Sequence, residues 1–132
     1  MSAANALLRA IHLRLSGDAG LTALLGPDGI CDRLLTRPKL PVIVIGEMET
    51  RDLSTAGEPG EEHFLTLEVW SQGEGRRQAL EIAAKVEALL DDVSMALDGA
   101  VLVSLLRVGM RSRREMKTKY YLAEIHFRAV TE

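Results

Sequence analysis

A chain of 132 residues, 47% hydrophobic and 27% charged, is sized for one domain with its own core and is too apolar for a disordered segment. A single cysteine, Cys31, excludes an internal disulfide framework and any zinc site built from several thiolates, and it fits a reducing compartment. The net charge of −3 argues against a surface given over wholly to nucleic acid. The longest apolar runs, such as Val42–Ile45 and Val101–Leu106, fall far short of the roughly 20 residues that cross a bilayer, so no membrane contact is expected. The first residues lack the basic start and apolar core of a signal peptide, and export by that route is not expected either.

Ala4, Leu7, Leu8, Ile11 and Leu15 recur at helical spacing and predict an amphipathic helix over residues 3–15, with Ser2 as its cap and Ser16-Gly17-Asp18 as its stop. A short second turn follows, with Leu21, Leu24 and Leu25 facing inward. Pro27, Pro38 and Pro41 make residues 26–41 read as an irregular connection. The β-branched run Val42–Ile45 then suits a strand covered on both faces.

Residues 50–61 carry Ser, Thr, Gly and Pro with few apolar groups and predict a long exposed loop, ordered only on meeting a partner. Glu62–Ser71 alternates as a second strand, and Gly73-Glu74-Gly75 ends it. The clearest element is a helix over Arg76–Leu90, with Ala79, Ile82, Ala83, Val86, Leu89 and Leu90 inward and Glu81 and Lys85 spaced for an ion pair outside. Asp91-Asp92 has the wrong charge for that end of the helix dipole, which predicts an end fixed by tertiary contacts. Met95–Leu97, Asp98-Gly99 and Ala100–Leu102 read as a hairpin whose return strand runs to about Arg107. Tyr121–Ala129 alternates as a last strand with Glu124, His126 and Arg128 on a polar face. The order predicts a single α+β domain, residues 1–132, with helices packed on one face of a largely antiparallel sheet.

No catalytic constellation stands out. His12, His63 and His126 lie on different elements, and no His, Cys and Asp cluster has metal spacing. Gly73-Glu74-Gly75 lacks the Lys-Ser/Thr of a phosphate loop and the third glycine of a dinucleotide fingerprint. No serine sits in a Gly-x-Ser-x-Gly elbow. The expectation is a non-enzyme with no catalytic residue, cofactor or metal.

Charge is unevenly arranged. Residues 47–62 hold six acidic groups against Arg51, a net −5, and residues 107–119 hold six basic groups against Glu115, a net +5. With the basic stretch read as a hairpin tip, the two regions suggest head-to-tail contact between copies, with Arg111, Arg113 and Arg114 of one meeting Glu58, Glu61 and Glu62 of the next. Two solvated loops would explain the same charges. A basic tip on nucleic acid is a third reading, restricted to phosphates because only five aromatic residues are present.

Several stretches taken in order carry a resemblance over nearly the whole chain. They are Ala6–Ala10 through Leu24-Leu25-Gly26, Leu40–Glu47, and Ser54-Thr55 through Glu58-Pro59-Gly60-Glu61-Glu62-His63 into Leu67–Ser71. Glu74–Ala79 through Ala96–Gly99 and the ending Phe127–Glu132 complete the set. The chain resembles the small tail-completion proteins of long-tailed phages and alphaproteobacterial gene transfer agents. That resemblance implies a tail terminator: a ring subunit, six to the ring, that caps the finished tail tube and joins it to the head, with no catalysis. The implied partners are copies of itself, the tail tube protein, the head connector or stopper, and DNA passing through the lumen without sequence readout. The implied location is the host cytoplasm during assembly and then the head–tail junction. Family members often carry an acidic or neutral turn where this chain has Arg111-Ser112-Arg113-Arg114. The alternatives are a head-completion or stopper protein and, from another class, a small nucleic-acid-binding regulator using residues 107–119.

Overall fold

The computed structural model describes residues 2–26, 28–33, 38–73 and 75–132. Pro27 and Glu74, used above to mark a connection and a break, lie outside them. Three helices, α1 (Ala3–Ser16), α2 (Ala19–Thr22) and α3 (Arg77–Leu90), accompany six strands. The strands are β1 (Ile30–Cys31), β2 (Val42–Asp52), β3 (Glu61–Ser71), β4 (Ala96–Leu97), β5 (Ala100–Arg114) and β6 (Tyr121–Thr131). One sheet of order β1-β2-β3-β6-β5-β4 contains them all, antiparallel except for the parallel β1–β2 pair. This is the expected α+β architecture.

The helices cover one face. Leu7, Ile11 and Leu15 of α1, Leu21 of α2, and Ile82, Val86 and Leu90 of α3 pack on Ile43, Leu65, Leu67, Val69, Leu105, Ile125 and Phe127. Each strand contributes alternate residues, as the pleat requires. The Ser2 hydroxyl accepts from the Asn5 N–H at 3.1 Å and caps α1, while the Asp18 carboxylate caps α2 by accepting from Leu21 N–H at 2.8 Å. Leu89 is half-buried beside the core rather than inside it, because Leu90 takes the inward position. Glu81 pairs with Arg77 at 3.2 Å, not with Lys85.

The other face carries a smaller cluster at one end: Val42, Val44, Trp70 and Leu122, with Cys31, Leu40 and Tyr120 beside them. Trp70 meets Tyr120 edge-on at 6.4 Å between centroids. The Val42–Ile45 strand is therefore covered on both faces, as its β-branched run predicts.

Three spans differ from expectation. The connection over 26–41 contains β1, too short at two residues for any period to reveal, which adds a parallel edge to β2. The loop over 50–61 shrinks to 53–60: Thr50, Arg51 and Asp52 extend β2 opposite His63, Glu62 and Glu61, and Thr55 and Glu58 bond each other at 3.0 Å within the turn. The return strand expected to stop near Arg107 runs on to Arg114, because β6 offers partners along its whole length.

Candidate functional site

The sheet register fixes where the charged residues lie. Asp52, Glu61, Thr131 and Leu102 align at one end of the four central strands; Val42, Ser71, Tyr121 and Arg114 lie at the other. Glu58, Glu61 and Glu62 therefore sit at the first end, and Arg111, Arg113 and Arg114 toward the second. Measured along β3, Glu62 and the level of Arg111 (opposite Glu124 and so Glu68) are six residue steps apart, about 20 Å at strand rise, and Arg111 lies two strands away. Within one chain the two trios do not meet.

Their members also differ in how far they are already engaged. Glu58 is exposed in the turn. Glu62 is held by Arg128 across β3 and β6, its Oε2 accepting from the arginine Nε at 2.6 Å. On the basic side, Arg113 donates to Glu115 at 3.1 Å and approaches Glu124 at 3.6 Å. Glu115 also accepts from Lys117 N–H at 2.9 Å; that bond first, and Arg113 second, hold its carboxyl below the ordinary range. Arg114 lies over the Tyr121 ring at 5.9 Å. Arg111 is exposed and makes no ion pair among the described residues.

The expected basic hairpin tip is mostly strand. Arg107, Arg111, Arg113 and Arg114 all belong to β5, and only Lys117 and Lys119 belong to the turn. The feature not anticipated from the sequence lies on the same strand. Val101, Val103, Leu106, Val108 and Met110 are exposed along β5, Val108 by 64%. The available signal was the apolar stretch Val101–Leu106, interrupted only by Ser104, which on a half-buried strand leaves residues on both faces.

β5 is open on the side away from β6, but only in part. β4 pairs with it at Ala100 and Val101. Farther along, Leu105 O accepts from Asp92 N–H at 2.8 Å, and Arg107 N–H donates to Asp91 Oδ1 at 2.8 Å. The Glu87 carboxylate meets Arg107 Nε at 3.1 Å. The end of α3 is thus fixed to the strand, as its paired aspartates predict, and it closes the edge there. From Val108 to Arg114 no strand or turn among the described residues pairs with that edge.

β2 is open in the same way. β1 pairs with it at Ile43 and Val44, and from Ile45 to Asp52 its outer edge has no strand partner among the described residues. A bulge between Ile45 and Met48 bends it there. Gly46 belongs in that bulge: a Cβ would come within 2.9 Å of Glu68 Oε2 and 3.2 Å of Thr66 O. Glu47 and Glu49 project beyond it and are exposed.

The histidines are structural partners. His63, fully enclosed, lies 2.9 Å from Thr50 Oγ1 and 2.9 Å from Thr131 Oγ1; burial pushes its pKa below the ordinary 6.5. His126 shares a hydrogen bond with Thr66 Oγ1 at 3.0 Å on the polar face. Among the described residues no three His, Cys, Asp or Glu side chains are grouped to hold a metal ion, and no helix is long and apolar enough to cross a membrane.

A family model described as tail completion protein gp17 matches residues 9–132. Among solved structures, a chain from a structure titled "Virion of native gene transfer agent (GTA) particle" is similar at a TM-score of 0.89 and 27% identity. The match covers 99% of this chain and 98% of that one. Comparison with curated proteins returned no match.

Proposed function

The chain belongs to the tail completion protein gp17 family, and from that membership we propose that it is the tail terminator of a phage-like particle. In this reading copies close into a ring, six to the ring, on the last layer of the tail tube. The ring stops further addition to the tube and offers a different face to the head connector, while DNA passes through its lumen without sequence readout. The mechanism is geometric, with no bond made or broken. The observation that carries the reading is the end-to-end likeness to a chain of a gene transfer agent virion, which covers nearly the whole of both chains.

The charge arrangement supports a head-to-tail contact. Arg111, Arg113 and Arg114 stand on one side of it, and the acidic region that includes Glu58, Glu61 and Glu62 stands on the other. Opposite patches on different sides of a subunit repeat around a closed ring, and they set orientation and encounter rate more than affinity.

Disrupting the gene in producing cells and imaging the lysate by electron microscopy tests the reading. A terminator role gives tails of irregular, excessive length that are separate from filled heads. Tails of normal length with leaking heads would make the chain a stopper instead. Normal particles would end both readings.

A further inference from the structure

The two open edges are opposite edges of one sheet. Three antiparallel steps separate β2 from β5, so the two strands run in opposite directions. A second copy laid beside the first with its helices on the same face therefore brings its β2 antiparallel to β5. That is the relation that already holds between neighbours across the centre of the sheet. Exposed strand edges present a row of unmatched backbone donors and acceptors, and β5 adds two exposed apolar side chains, Val108 and Met110, on its open part. We propose that neighbouring copies continue one another's sheet, Val108–Arg113 of β5 in one copy pairing with Glu47–Asp52 of β2 in the next.

Three observations select this occupant and this register. The open part of β5 bears Arg111, Arg113 and Arg114 with no acidic residue, whereas the open part of β2 bears Glu47, Glu49 and Asp52 against Arg51, whose guanidinium holds Glu49 at 3.1 Å in an exposed pair that a neighbour's arginine can exchange. Setting Arg111 opposite Glu49 sets Arg113 opposite Glu47 and leaves Arg51 opposite Gly109, where a Cβ would meet nothing within 4 Å. Slipping by two residues, the smallest step that keeps each side chain on its face, either sets Arg111 against Arg51 or keeps one opposite-charge pair instead of two. Finally, the stagger clears both covers. β1 lies beyond Arg114 in this alignment, and the Asp91-Asp92 closure lies on the far side of Val108. The contact is heterologous, each copy using a different edge on its two sides, so it closes when the rotation per copy divides a full turn.

This inference rests on the ring reading, and its test separates the two. In a Cys31→Ser background, Glu49→Cys and Arg111→Cys are combined in the full-length chain, oxidised at high concentration and run on denaturing gels. Light scattering on the same samples, with and without purified tail tubes, reports the assembly. Facing residues of an antiparallel pair lie within disulfide reach, so the expected result is a covalent ladder ending at the ring size. Each single-cysteine variant should stop at the dimer. Assembly without a ladder overturns the edge pairing and leaves the ring standing. An equal ladder from Glu58→Cys with Arg111→Cys overturns the register. A monomer under every condition, tubes included, overturns the ring reading and the pairing with it. A second readout uses charge: Arg111→Glu with Arg113→Glu should weaken self-association about tenfold or more, and adding Glu47→Lys with Glu49→Lys should restore most of it. Restoration by reversing Glu58, Glu61 and Glu62 instead overturns the proposed register.

Discussion

α3 and β5 are joined at Asp91 and Arg107, yet they dispose of their apolar side chains in opposite ways. α3 places Ala79, Ile82, Ala83, Val86 and Leu90 wholly inside. β5 encloses Leu105 and leaves five large apolar side chains outside. The helix stripe is what holds one subunit together. The β5 residues contribute little to that subunit alone, since water still reaches them, and so they remain available to a second chain. Two stretches with similar hydrophobicity can thus serve two different equilibria, folding and assembly.

Substitutions should separate these equilibria. The largest effect is expected at Val86. Val86→Asp leaves an unpaired buried charge, a cost of several kcal/mol against a total stability of about 5–15 kcal/mol, and soluble folded protein should not be recovered. A soluble variant with an unchanged melting curve would show that the stripe does not govern folding. Val108→Lys with Met110→Lys should do the reverse: melting within ~0.5 kcal/mol of wild type for each exposed change, and loss of self-association in light scattering. Unfolding of this pair would erase the distinction between the two regions.

A third test reads the enclosed end of the helix-backed face. His63 titrates below its ordinary value because burial disfavours the charged ring. The unfolded chain therefore takes up the proton first, and stability should fall as pH drops through about 6.5 and continue falling until the folded protein also protonates. Thermal melts across pH 5–8 should show this slope in wild type and a flatter one in His63→Gln. An equal slope in both would assign the pH dependence elsewhere. The smallest effect is at the start of α1. Ser2→Ala removes one cap hydrogen bond and should cost about 1 kcal/mol, read from denaturant midpoints, with assembly unchanged.

The helix-backed half was legible because periodicity there reports burial directly: the α3 stripe and the Leu65, Leu67, Val69 alternation each point to a single covered face. The edges were not legible. Arg111-Ser112-Arg113-Arg114 looks like a turn by charge, but its backbone follows β6, whose partners lie elsewhere in the sequence. Thr50, Arg51 and Asp52 likewise look like loop, and extend β2 only because Glu61, Glu62 and His63 stand opposite. The charge asymmetry was visible in the order of residues along the chain, whereas the direction and spacing of the two open edges needed the sheet order. Glu62 shows the same dependence: as a sequence position it is one more acid, and in the fold Arg128 has already claimed it.

The aspartate pair after α3 has one more consequence. By occupying Leu105 O and Arg107 N, it limits any joint on that edge to about six residues. Backbone hydrogen bonds contribute only about 1 kcal/mol each in net terms, so a joint this short stays reversible. In the proposed ring a subunit attached at one side would leave readily, whereas the subunit that completes the circle would be held at two sides at once and depart far more slowly. In that ring the helix terminus would thereby act as a length gauge: mistaken partial arcs would come apart, and closed ones would persist.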